Sequence, residues 1–109
     1  MEDVLEVRKT ALELINNLES RSKSINKLFL KNEIEEGTNR LLIFTEDIVV
    51  LTEGLSVIDS EQTTYRISEI NQKLNDILGA LEMNDPLYVS EILEQEIIPL
   101  LIYWKEKLS

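Results

Sequence analysis

The side chains in this chain with the most obvious capacity for chemistry are its carboxylates. It has 21 Asp and Glu among 109 residues, with no His and no Cys. Pairs such as Glu46/Asp47 and Glu91/Glu94 have the residue types of a general acid and base, or of a hard-cation site. In so acidic a chain, pairs of this kind arise by chance, and solvated helix faces account for them. Without histidine there is no phosphotransfer imidazole, no Ser-His hydrolase and no Glu-x-x-His di-iron centre. Without cysteine there is no disulfide, thiolate metal site or thiol nucleophile. Gly37, Gly54 and Gly79 are isolated, so no glycine-rich phosphate loop forms, and Gly79 is expected to let a helix neighbour approach closely. The serines of "SRSKS" are phosphate acceptors at most. An enzyme is not expected, and neither is a cofactor or a metal.

The carboxylate that calls for an explanation is Glu96, in "EILEQEIIPLLIYWKEKL". At about 100° per residue from Val89, the side chains of Leu100, Leu93, Trp104 and Ile97 fall between about 20° and 80°. Ile92 and Tyr103 fall near 300° and 320°, and Glu96 near 340°, inside the same apolar arc. A glutamate there is expected either to extend to the boundary or to accept hydrogen bonds from a basic or hydroxyl side chain of the first helix, such as Arg21 or Ser22. Pro99 removes the bond to the carbonyl of residue 95 and clashes with that turn, which predicts a kink. Trp104 is expected as a core anchor at one end of the fold, and Tyr88 as a boundary residue.

The elements that must position these residues read as four helices. Val4, Val7, Ala11, Leu14, Leu18, Ile25 and Phe29 form the stripe of the first, which ends near Lys31 and Asn32, with a bend or fray expected at Ser20 to Ser24. Leu41, Phe44, Ile48, Leu51 and Leu55 mark the second, from about Glu33 to Leu55, with an acidic first turn that suits the helix dipole. A hairpin turning at Thr45 to Asp47 competes with it, because "LLIFTEDIVVL" is rich in β-branched and aromatic residues. The seven-residue repeat favours the helix. Asp59 or Ser60 is expected to cap the third helix, whose stripe is Ile67, Ile70, Leu74, Ile77, Leu78 and Leu81. Pro86, with Asp85 as cap, opens the fourth, which runs to about Lys107. Long helices with short links favour a single all-α domain over residues 1 to 109, folded as an antiparallel, up-down-up-down four-helix bundle.

Charge bounds the partners. The net charge of -10 would repel phosphate backbones and anionic membranes, so neither nucleic acid nor a membrane surface is expected to bind. Residues 8 to 31 carry 6 basic and 2 acidic side chains, whereas residues 32 to 109 carry 5 basic and 16 acidic. The simplest reason is that the basic segment lies against acidic neighbours; a basic strip for an acidic partner is the alternative. The acidic, amphipathic start "MEDVLEV" does not read as a secretory signal, and no apolar run reaches membrane-spanning length, which makes the cytoplasm the expected location.

Two helices carry more apolar surface than one core needs. Leu87, Ile98 and Ile102 fall between about 160° and 220° from Val89, opposite the core arc. Ile43, Val50 and Val57 recur every seven residues away from Leu41 and Ile48. These six residues are the candidate partner-binding positions, either for a homodimer or for another protein.

The tail "ALEMNDPLYVSEILEQEIIPLLIYW", through Ala80, Leu81, Asp85, Ile92, Leu93, Glu96, Pro99, Leu100 and Trp104, resembles the end of a group of small, uncharacterised, all-helical proteins of low-GC Gram-positive bacteria. The resemblance covers about a quarter of the chain. It implies that Glu96 and Pro99 belong to a shared structural or binding feature, and it brings no activity with it. The expected function is that of a non-catalytic adaptor or regulator acting through helices two and four. The alternative is a small export or assembly chaperone, like helical flagellar chaperones, whose fourth helix moves to expose a groove for a client.

Overall fold

A computed structural model describes residues 4 to 58 and 66 to 109. Among them every regular element is helical: α1 (Val4–Leu30), α2 (Ile34–Ile58), α3 (Ile67–Glu82), α4 (Pro86–Ile92), a π-helical turn (Leu93–Ile97) and α5 (Ile98–Leu108). The last three are continuous and form a fourth rod. α1 lies against α2 and along the whole fourth rod, while α3 packs against α4 and only sparingly against α2. The core between them includes Ile15, Leu18, Phe29, Phe44, Ile48, Ile70, Ile77, Val89, Leu93, Leu101 and Trp104, all essentially closed to solvent. Burying several such side chains, at about 1.5 to 3 kcal/mol each, is what offsets the ordering of the chain.

Helix α1 continues without a break through Ser20 to Ser24, the stretch expected to bend or fray. Ser22 is fully buried and fills the place between Leu18 and Ile25 in the core stripe. Its hydroxyl donates to the Glu19 carbonyl at 2.8 Å, so burial leaves no unsatisfied group and the helix need not break. The β-rich centre of α2 is helical as well, because Leu41, Phe44, Ile48, Leu51 and Leu55 are buried together on one face, which a hairpin would split between two. This helix extends one turn past Leu55, to Ile58. The residues expected to cap α3, Asp59 and Ser60, lie outside the described residues.

Two helix ends stop in the same way. Asn32 (φ 61°) and Asn84 (φ 55°) adopt the left-handed conformation just past α1 and α3. Glu33 N–H then reaches the Leu28 carbonyl and Asp85 N–H the Ala80 carbonyl, each at 2.9 Å, closing both ends as Schellman turns. Asp85 also caps α4 as expected, accepting from Tyr88 N–H at 3.1 Å, with Pro86 in the first turn.

The glycine that permits close approach is Gly37, and not Gly79. A Cβ at Gly37 would stand 3.0 Å from the Phe29 ring, whereas one at Gly79 meets nothing within 4 Å. Helix α3 is also rotated from the expected arc. Ala80 is buried and Leu78 is 45% exposed, and Lys73 is turned toward the fourth rod.

Candidate functional site

The kink expected at Pro99 takes the form of a wider turn. Ile98 N–H donates to the Leu93 carbonyl, five residues back, and this π turn lies directly before the proline. Pro99 has no N–H to give to residue 95, so an α-helical turn here would lose that bond and press the ring on the carbonyl. A π turn holds one extra residue and takes back about 100° of rotation. On an unbroken helix Leu101 would point about 120° from Val89; after the correction Ile97, Leu101, Trp104 and Leu108 all lie within about 40° of it. All four are buried.

The same correction settles where Glu96 goes. It swings off the core arc toward α3, where Lys73 Nζ donates to Oε1 at 2.7 Å. Both side chains remain about a third exposed, at 27% and 37%. The hydrogen bond to Glu96 raises the Lys73 pKa above its ordinary 10.5. The partners expected from α1 are engaged elsewhere: Arg21 pairs with Asp47 of α2 at 2.7 Å, and Ser22 bonds within its own helix. The Arg21 pair also joins the basic segment to an acidic neighbour, the arrangement the charge pattern suggested.

A cleft of about 300 Å³ opens between α3 and the π turn, lined by Arg66, Glu69, Lys73, Glu96, Pro99 and Tyr103 among others. Arg66 pairs with Glu69 and lies over the Tyr103 ring, 5.1 Å from its centre. Each cation in this cleft therefore already has a carboxylate partner, and the arrangement locks α3 to the fourth rod. No group of three or more potential metal ligands converges among the described residues.

The apolar surface is concentrated on α2. Ile43, Val50 and Val57 are 57%, 58% and 57% exposed. Leu42 and Val49, which were not singled out from the sequence, are exposed beside them. Their seven-residue spacing in "LLIFTEDIVV" was the available signal. On a helical projection these five residues span about 120°, with exposed Glu46 and Glu53 in the middle of the arc. Glu46 and Glu53 have no ion-pair partner among the described residues.

On the fourth rod the π turn breaks up the back stripe. Leu87 is exposed and Ile102 less so, while Ile98 is half-buried and turned toward the flank. Because α2 and the fourth rod are not in extensive contact, their outer residues do not merge into one strip. Trp104 is fully buried, as expected of an anchor. Polar groups line the contact between α1 and the fourth rod: buried Ser90 donates to Asn26, and Glu19 has Lys105 at 3.6 Å. Among the described residues no helix is long and apolar enough to cross a membrane.

A family model described as a domain of unknown function (DUF8042) matches residues 6–107. No curated protein and no solved structure matches the chain.

Proposed function

The chain belongs to the DUF8042 family, and from that premise we propose that it is a non-catalytic protein interaction module, an adaptor or regulator. The observation that supports this reading is the outer face of α2, where Leu42, Ile43, Val49, Val50 and Val57 are all about half exposed on a well-packed helix. Scattered exposed apolar residues are ordinary, but a row along one helix is what a partner surface requires. Leu87 and Ile102, exposed on the fourth rod, offer a second, smaller contact, from which the half-buried Ile98 is turned away. In the same proposal the four rods form an antiparallel, up-down-up-down bundle; the short links at Asn32 and Asn84 and the pattern of neighbouring rods support it. The protein acts in the cytoplasm, without binding nucleic acid or membrane, in keeping with its net charge of -10.

The test is a triple substitution, Ile43→Asp with Val50→Asp and Val57→Asp, followed by molar mass over a wide concentration range, helicity and melting temperature. An interaction face tolerates the change with helicity and melting temperature retained, since surface substitutions cost within about 0.5 kcal/mol each. A triple variant that unfolds would make these residues structural and sink the reading.

A second reading, a small export or assembly chaperone, is favoured by the polar contact between α1 and the fourth rod at Asn26/Ser90 and Glu19/Lys105. A contact partly built from polar groups gives way to water at lower cost than an apolar one. Hydrogen exchange discriminates: the chaperone reading requires α4 and α5 amides to exchange well before those of α1 and α2.

A further inference from the structure

We infer that the occupant of the outer face of α2 is a basic amphipathic helix of a partner protein, lying along α2 with its cations over Glu46 and Glu53; this rests on the interaction reading above. The two glutamates sit between a row formed by Leu42 and Val49 and a row formed by Ile43, Val50 and Val57, all exposed. An uncharged apolar partner would desolvate both carboxylates without compensation, which is costly.

A second copy of the chain is a poor occupant for the same reason. A two-fold contact through this face would bring the glutamate rows together, and the arc contains no lysine or arginine to separate them. The only basic residue of α2, Arg40, lies off the arc and is bound to Glu36 at 2.8 Å. The net charge of -10 adds repulsion between copies. Spacing identifies the shape of the partner. Leu42/Val49, Ile43/Val50/Val57 and Glu46/Glu53 all recur every seven residues, the repeat that a second helix running along α2 can match. Its own pattern would be leucine-like residues at that repeat, with lysine or arginine between them.

The experiment uses the full chain and fluorescently labelled, end-capped peptides of about two heptads: an amphipathic Leu/Lys helix, a scrambled peptide of the same composition, and a Leu/Glu helix. Binding is read by anisotropy at low and high salt. The Leu/Lys helix should bind about tenfold or more tightly than the scrambled peptide, and salt should weaken it. The double variant Glu46→Lys with Glu53→Lys should lose that binding about tenfold and gain the Leu/Glu helix. Val50→Asp should lose it while keeping the parent's melting temperature. Equal binding of amphipathic and scrambled peptides would show attraction to the general acidity of the chain and overturn the inference, as would binding that survives the double charge reversal. If no peptide binds but the parent dimerises and Val50→Asp dissociates it, the occupant is a second copy: the inference falls and the interaction reading stands. If no peptide binds and the chain is monomeric with and without the substitution, both fall.

Discussion

Lys73 Nζ and Glu96 Oε1 stand 2.7 Å apart, and this bond ties the middle of α3 to the π turn of the fourth rod. It exists because two independent rotations converge. The roll of α3 brings Lys73 inward, and the extra residue of the π turn carries Glu96 out of the core toward it.

That bond has a pH signature. The pKa of Lys73 is raised by its hydrogen bond to Glu96, so its contribution to stability is complete below the unfolded lysine value and disappears as pH rises through the folded one. Glu96→Gln should therefore melt lower than the parent at neutral pH, and the gap should close above the ordinary lysine value of 10.5. Thermal melts between about pH 7 and 11.5 check this. A gap that stays constant across that range would mean the bond is not formed in solution.

Register in the fourth rod gives a sharper test. Deleting Gln95 in a Pro99→Ala background removes the extra residue and the proline clash together, so Ile97, Leu101 and Trp104 should keep their places on an α-helical rod. Trp104 emission should stay blue-shifted and helicity unchanged. Inserting an alanine after Gln95 instead rotates everything beyond by about another 100° and should expose Trp104 to quencher.

Trp104 itself is fully buried. Trp104→Ala should cost about 3 to 5 kcal/mol, a large part of the roughly 5 to 15 kcal/mol that holds a domain together. Denaturant titration of the variant should show a much reduced midpoint or an unfolded chain in buffer.

The glycines should respond in opposite directions. Gly37→Ala pushes a methyl against the Phe29 ring and should destabilise by about 1 to 3 kcal/mol. Gly79→Ala meets open space in a helix interior and should stabilise by about 0.5 to 1 kcal/mol. Melting temperatures of the pair check both the packing at Phe29 and the roll of α3.

The periodicity of apolar residues was enough to read the helices, their approximate ends and most of the core, because burial of one face is what the pattern encodes. Asp85 and Pro86 marked the start of α4 for an equally local reason. The misplacements share a different cause. Leu78 and Gly79 depend on how far α3 is rolled, which its neighbours set. Ser22 looked like a helix breaker because its propensity was read without the stripe position it occupies. Glu96 and Ile98 were misaligned by a single hydrogen bond, from Ile98 to Leu93, that no 100° projection contains. On the candidate surface Ile43, Val50 and Val57 were legible from their repeat, whereas Leu42 and Val49 were hidden because a row beside the core arc reads as its edge.

The exposed rows of α2 also set how long a complex would last. From Leu42 to Val57 the helix axis advances about 22 Å, roughly half the 45 Å length of the molecule. A single helix laid along it covers a footprint of roughly 200 to 400 Å², well short of the roughly 800 Å² per partner of a standard stable interface. Contacts of that size dissociate quickly, so occupancy would follow the local concentration of the partner from moment to moment, and release would need no dedicated disassembly step.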